Sequence, residues 1–420
     1  MHARKLVIIV AIVVLGAGLF LAGRASVANT PSSTTTSSTS GVVNGSFSPI
    51  SVNFSSLERG WVLGTTSCHT GTTCLSLRRS TNAGRSWIVS PLPQLLLSRA
   101  DRQVLGSPAI LYGTSAGDDI SNLNVHFANA DDGWIYGSLA VPTKVNGQQS
   151  AIFKPVFWST HDGGLVWKIQ PQSWIYAQGP VIDLEATSST VYLMALNKSF
   201  NVTVESSPVG EDRWHVSDSK GLSTPAGGGP LWGAIVLSGS NGWLVEGNDR
   251  GTTGSAQLNG SGRWVPWTAP CESVGDSMAV PAASTSSYLI VECVMGGFAS
   301  PLSKTAPPGA TLGSTWLYVS TNAGRTFTAG PELGQGRVYF GSAIASPKPT
   351  TILITRSSPN QELLASFDGD RHWTVVYFGD VTFMHFVSST EGVALVQSPK
   401  GPNQLIMTFD GGHKWFSIHF

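Results

Sequence analysis

The chain has 420 residues, with 25 Lys+Arg against 25 Asp+Glu, so its formal net charge is zero, and only 12% of its residues are charged. Without a basic stripe to neutralise phosphates, the sequence excludes a nucleic-acid partner. The 47 Gly and 24 Pro point to a chain made of turns, and its length is ample for a large core.

In chain order, Met1-His-Ala-Arg-Lys5 precedes an uncharged run from Leu6 to Ala22. This run predicts one hydrophobic helix within 1–28, near the short limit for a membrane span and long for a signal-peptide core. Arg4 and Lys5 favour a cytoplasmic N-terminus. Ser26-Val-Ala28 fits a cleavage site, while Arg24 just before it argues against efficient cutting. The expectation is a single-pass anchor with an exported remainder, the alternative being secretion after cleavage. Residues 29–48 are dominated by Ser, Thr, Gly, Asn, Val and Pro, the composition of a flexible spacer.

From 49 to 420, one short motif recurs five times. It reads Ser80-Thr-Asn-Ala-Gly-Arg-Ser-Trp87, Thr160-His-Asp-Gly-Gly-Leu-Val-Trp167, Ser320-Thr-Asn-Ala-Gly-Arg-Thr-Phe327, Ser366-Phe-Asp-Gly-Asp-Arg-His-Trp373 and Thr408-Phe-Asp-Gly-Gly-His-Lys-Trp415. Short β-prone runs flank each copy, so each is a turn between two strands. Asn82, Asp162, Asn322, Asp368 and Asp410 have the side chains that bond backbone N–H groups two residues on, and the hydroxyls of Ser80, Thr160, Ser320, Ser366 and Thr408 brace the same turn. Gly84, Gly164, Gly324 and Gly412 supply the positive-φ position, where the fourth copy has Asp370. The closing Trp87, Trp167, Phe327, Trp373 and Trp415 plug the hairpin into neighbouring apolar surface.

A second motif precedes several of these turns, at Gly60-Trp61, Gly133-Trp134, Gly242-Trp243 and Glu391-Gly392, each after a β-type run. One unit is therefore strand, turn, strand, loop, strand, motif, strand, which is a four-stranded propeller blade. Two more units with degraded turns run to Trp214 and Trp264. The closing aromatics then number seven, spaced roughly 42 to 80 residues apart, near the period of propeller blades. The longest gap holds an insertion at 88–122. The expected fold is all-β, a seven-bladed propeller of four-stranded antiparallel blades whose seventh blade closes against the first.

The recurring motif resembles the Asp box, or BNR repeat, of sialidase-like β-propellers. The resemblance implies a structural role for the box residues. It does not extend to sialidase chemistry. The Phe/Tyr-Arg-Ile-Pro motif is missing, and Arg59, Arg78, Arg79 and Arg85 cluster in blade one, mostly at its box end. No catalytic residue is assigned. The non-catalytic BNR-type propellers that this chain looks like include photosystem II assembly factors, which bind protein partners.

Four cysteines suit an oxidising compartment, and the expected pairs are Cys68–Cys74 in a loop of blade one and Cys271–Cys293 around the first strands of blade five. Their spacing does not favour a metal, and no cofactor is expected. The doublet Asp131-Asp132 is expected to be turn chemistry, and His161, His372 and His413 to be solvated turn residues. Asp118-Asp119 in the insertion is more open, and Gly113-Thr-Ser-Ala-Gly117 lacks the strand-to-helix context of a nucleophile elbow.

Strands in a meander alternate direction, so the box turns share one end of the disc with the turns between strands one and two. The stretches 65–74, 88–122, 138–152, 248–254 and 294–313, all expected to be long loops, fall at the opposite end. That loop-rich face is the expected binding surface for a protein or glycan, with Tyr112, Asp118, Asp119, Trp174, Tyr176 and Trp232 as its candidate platform. The functional expectation is a membrane-tethered, non-catalytic binding or assembly scaffold. The alternatives are a cell-surface glycoside hydrolase and a carbohydrate-binding protein.

Overall fold

Each four-strand unit forms one antiparallel sheet. The computed structural model describes residues 47–67, 73–92, 122–145, 148–170, 180–197, 201–217, 232–248, 251–272, 277–295, 313–335, 343–356 and 360–420. Within them lie seven sheets, each built from four consecutive strands in simple order. The protein is a seven-bladed β-propeller. Its inner strands are Ser48–Phe54, Asn122–Phe127, Val181–Ala186, Trp232–Ser238, Met278–Ala283, Ile344–Lys348 and Asp380–Phe386. The hydrophobic helix expected within 1–28 and the spacer lie outside the described residues. The described part begins at Phe47, which is already buried.

The core is divided among the interfaces between blades. Because side chains alternate along a strand, each sheet presents apolar groups to both neighbours. Trp61 and Leu63 of blade one join Leu123, Val125 and Phe127 of blade two, while the intervening Val62 faces Val393 and Leu395 of blade seven. Seven such clusters, one per interface, complete the ring. Among the described residues no strand is exchanged between the first and last blades, and side chains make the closure. Phe47 meets Phe420 edge-on with ring centroids 4.5 Å apart. Arg78 lies 4.4 Å over the Phe47 ring, and Asn403 N–H donates to Ser48 Oγ at 3.0 Å.

The Gly-Trp motif has a steric cause. Gly60, Gly133 and Gly392 start the second strands of their blades, directly across from Phe54, Phe127 and Phe386 at the ends of the first. Each aromatic ring lies flat over its glycine, so a Cβ there would meet ring carbons at 2.4 to 2.7 Å. The Phe127 ring also stacks on Trp61 at 3.6 Å and is held on both sides.

The five box turns are geometrically alike. In each, the Ser or Thr hydroxyl accepts the N–H four residues on, at 2.9 to 3.0 Å. The same hydroxyl donates to the Asn or Asp side chain two residues on, at 2.8 to 3.0 Å. That side chain in turn accepts the N–H four residues further on. The acceptor thus reaches past the two-residue spacing expected from sequence, because the turn runs through two successive positive-φ residues, such as Ala83 and Gly84 or Gly411 and Gly412. Asp370 adopts φ 77° where the other boxes have Gly, and its carboxylate accepts Trp373 Nε1–H at 3.0 Å.

The box aromatics are half-buried rim residues. Trp415 meets Phe386 edge-on at 6.1 Å, and Trp167 meets Phe127 in the same way at 6.0 Å. Trp415→Ala should therefore cost about 2–3 kcal/mol, less than a fully buried Trp, and Asp410→Ala about 1 kcal/mol. Thermal melts of the two variants check the order; a Trp415→Ala protein that melts like the wild type would contradict this packing.

A second comparison isolates the glycine constraint. Gly133→Ala should destabilise by about 1–3 kcal/mol through overpacking. Gly260→Ala, where a Cβ meets nothing within 4 Å, should be neutral. Urea unfolding of the pair measures the difference.

Candidate functional site

The antiparallel order places the turns between strands one and two and between strands three and four at one end of the disc, the box face. The connections between strands two and three emerge at the other, the loop face.

Two of the five stretches expected to be loops are mainly strand. The second and third strands of blade two, Asp132–Val145 and Gln148–His161, stay paired out to Val145 and Gln148, so 138–145 and 148–152 form a long paired extension at the loop face. In blade four, pairing continues to Asn248 and Gly251, which takes up most of 248–254. In 138–152 the β-branched Val141, Thr143, Val145 and Ile152 favour the ladder over an open loop, while in blade four only Thr252 and Thr253 do so. Most of 88–122 and 294–313, and the middle of 65–74, lie outside the described residues. So do Tyr112, Asp118, Asp119, Trp174 and Tyr176.

Trp232 is the one platform candidate within the described residues. It is half-buried, its Nε1–H donates to Asn248 O at 3.3 Å, and its ring covers Gly247 so closely that a Cβ there would lie 2.2 Å from it. Beside it on the same sheet, Glu246 is 1% exposed. Burial, with Glu272 adding, pushes its carboxyl up to about 7. Cys271 and Cys293, bonded to each other, bracket the first strand of blade five near this end. Cys68 lies outside the described residues, and with it the pairing expected for Cys74.

The channel side carries polar groups from the inner strands, and these link one blade to the next. Ser51 Oγ and Asn53 Oδ1 of blade one accept the N–H groups of Val125 and Phe127 in blade two, both at 3.0 Å. Asp183 of blade three accepts Ile235 N–H of blade four at 2.6 Å and the Tyr136 hydroxyl of blade two at 3.2 Å. Thr252 of blade four accepts Ala279 N–H of blade five at 2.8 Å. His126 faces Glu185 at 3.9 Å, and His385 of blade seven bonds the Phe54 carbonyl of blade one.

Desolvation pushes His126 down to about 3, with His385 adding. Desolvation likewise lowers His385 to about 4, opposed by the Phe54 bond. Burial raises Asp183 to about 6 against its hydrogen bonds. Burial and Asp183 together push Glu185 well above its usual range.

A second cluster joins blades two and three on the box face. His161 Nδ1 lies 2.7 Å from Asp132 Oδ1 and its Nε2 lies 3.0 Å from Asp212 Oδ2. Asp212 Oδ2 also accepts Ser159 Oγ–H at 2.6 Å and Gln170 Nε2–H at 2.7 Å. The bond to Asp212 raises His161 to about 9 against its partial burial, and Asp132 contributes. Burial would raise Asp212, but bonds from His161 and Ser159 outweigh it and hold its carboxyl below the usual value.

His161 keeps the exposure expected of a turn histidine, but its ring also bridges two blades, a link not expected from sequence. His372 fits that expectation, exposed and bonded to Asp368 at 2.5 Å, while His413 stacks on Phe367 at 3.6 Å. Asp131 and Asp132 take the expected turn bonds through Asn129. Asp212 escaped notice because blade three has no Asp box; Val209 and Glu211 stand where the Asp and Gly would be.

The chain matches no protein-family model and no curated protein. Solved structures do resemble it. The structure described as YCF48 bound to D1 peptide is 15% identical, with a TM-score of 0.50 over 88% of this chain and 95% of that one. A polysaccharide lyase of family PL25, an ulvan lyase bound to -[GlcA(1-4)Rha3S]-, is 10% identical, with a TM-score of 0.50 over 89% and 95%. A prolyl endopeptidase is 10% identical, with a TM-score of 0.52, and the match spans 49% of that chain.

The buried histidines set a pH dependence. Their folded values lie below the unfolded value near 6.5, so the unfolded chain binds more protons in acid and stability falls as pH drops from about 6.5 towards 4. Asp183, raised in the fold, acts in the opposite sense and offsets part of this. Melting temperature followed from pH 7 to 4 should therefore fall less steeply for His126→Gln than for the wild type; parallel profiles would remove His126 from the account. These identities carry a shared fold and no more: the chain is a seven-bladed propeller of the architecture found in these proteins.

Proposed function

We propose that the protein is an exported, membrane-tethered propeller that acts as a non-catalytic binding or assembly scaffold of the BNR type. The observation that carries this reading is the engagement of the acidic and histidine groups around Asp183 and His161 in architecture. The box side chains hold their own turns, the inner-strand Asp183 holds a backbone N–H of the next blade, and His161, Asp132 and Asp212 hold one another. Groups so tied form a rigid frame, and binding then falls to the loops that the frame carries. The fold likeness to YCF48, whose structure contains a D1 peptide, supports a polypeptide as the ligand class. Export is supported by the uncharged Leu6–Ala22 run and by the Cys271–Cys293 disulfide, and tethering by Arg4 and Lys5 before that run. Among the described residues no helix is long and apolar enough to cross a membrane.

The rival reading, glycan degradation, draws on the fold likeness to the ulvan lyase and on the open Asp118-Asp119 doublet. Two assays on the purified full-length protein separate them. On a panel of neutral and uronate polysaccharides, neither reducing ends nor unsaturated uronate products should accumulate. On an array of peptides from exported and membrane proteins, a defined subset should be retained. Turnover of any polysaccharide, abolished by Asp118→Asn or Asp119→Asn, would overturn the scaffold reading.

A further inference from the structure

The same interblade contact recurs around the ring in two chemical forms. In blade one, Trp61 Nε1–H donates to Gly163 O in the box turn of blade two, at 3.1 Å. In blade four, Trp243 Nε1–H points at Ala323 O in the box turn of blade five, at 3.4 Å. Gly163 and Ala323 hold the same position in their boxes. A tryptophan in the second strand thus clasps the next blade's box through a backbone carbonyl that the turn presents.

Between blades two and three this clasp cannot form in that way. Blade three keeps Ser207 seven residues before Trp214, as in the other boxes, and Arg213 N–H donates to its hydroxyl at 2.8 Å. The rest of the box is lost, and the chain passes through Gly210 and Asp212 with positive φ. Trp134, equivalent to Trp61 and Trp243, directs Nε1–H at Asp212 Oδ1, 3.5 Å away. Asp212 is 8% exposed and Ser159 fully buried. The other oxygen of Asp212 takes Ser159, Gln170 and His161.

We propose that Asp132, His161 and Asp212 form an ionic clasp that replaces the lost Asp box of blade three and holds blades two and three together. Asp132 reaches His161 from the start of the second strand of blade two, where the two residues are cross-strand partners, and Asp212 reaches it from blade three. The imidazole therefore bridges two blades with one ring. Other charged groups at the seam have their own partners or face solvent. Asp162 holds its own box turn, Glu211 pairs with Arg213, Asp131 is exposed, and Lys168 lines the open depression beside His161. Breaking one arm leaves a nearly buried carboxylate without its cation, which is costlier than removing an exposed pair.

The sign of the pH dependence follows. His161, raised to about 9 in the fold, stabilises fully below the unfolded value near 6.5 and loses that contribution as pH rises through about 9. Asp212, depressed in the fold, stabilises above its unfolded value and loses the contribution in acid. The clasp is closed across the neutral range and opens at both extremes.

Hydrogen exchange on the full-length protein tests the clasp locally. In Asp212→Asn, amides of the 207–214 turn should exchange at least tenfold faster than in the wild type, while those of the blade-seven box, 408–415, stay unchanged. His161→Gln should give the same pattern and serves if the first variant does not fold. In the wild type, nitrogen shifts of the His161 ring should report an imidazolium up to about pH 9. Unchanged exchange at 207–214, equal acceleration of both turns, or a His161 that titrates near 6.5 would each overturn the clasp.

Discussion

A four-stranded sheet with two apolar faces cannot stand alone, and the whole structure follows from that constraint. Each blade buries one face against the blade before it and one against the blade after it. The only arrangement that leaves no face bare is a closed ring. Strand alternation does the sorting: Trp61 and Leu63 go one way and Val62 the other, with no residue shared. Because the seventh sheet borrows no strand from the first, closure rests on packing. Phe47, Phe420 and Arg78 form its outer seal, and Val52, Phe54, Leu395 and Met407 its interior.

A closed ring still leaves the bare edge of every inner strand facing the channel, where unpaired N–H groups carry the cost of a lost hydrogen bond. The chain answers with side chains from the neighbouring blade. Ser51, Asn53, Asp183 and Thr252 each accept an N–H of the following blade. This explains polar residues in strands that otherwise read as core, and it explains the shifted acidities there. Partial burial raises the Asp183 carboxyl, and Ile235 N–H and the Tyr136 hydroxyl hold its oxygens in that position.

The fold was legible in the sequence because its turn chemistry repeats. Five boxes with a fixed spacing of hydroxyl, acceptor, positive-φ residue and aromatic locate the outer hairpins, and the Gly-Trp pairs locate the second strands. The reason for that glycine, a phenylalanine ring lying flat across Gly60, Gly133 and Gly392 and the Leu237 side chain across Gly242, belongs to cross-strand register and is silent in a linear reading. Interblade chemistry was silent too. His161 sits in an unremarkable turn, and its partner Asp212 lies 51 residues away in one of the two turn regions where the repeat has decayed. Periodicity identifies what is repeated; a compensating residue appears where the repeat fails and carries no pattern of its own.

The two faces of the disc are consequently under different constraints. On the box face, the hydroxyl and the Asn or Asp of each box hold particular backbone atoms of their own turn. A substitution of one of them acts on that turn and on the blade seam beside it. On the loop face, interblade bonds come from particular connections: Asn403 N–H donates to Ser48 Oγ across the seam of the ring, and Thr252 accepts Ala279 N–H, whereas the second and third strands of blade two pair with each other out to Val145 and Gln148. Long connections close at small entropic cost, so stretches of this face without such bonds can change length and sequence while the frame stays intact. A ligand that recognises the protein through that face would meet a surface free to diversify on a scaffold that cannot, which is the arrangement expected of a binding module.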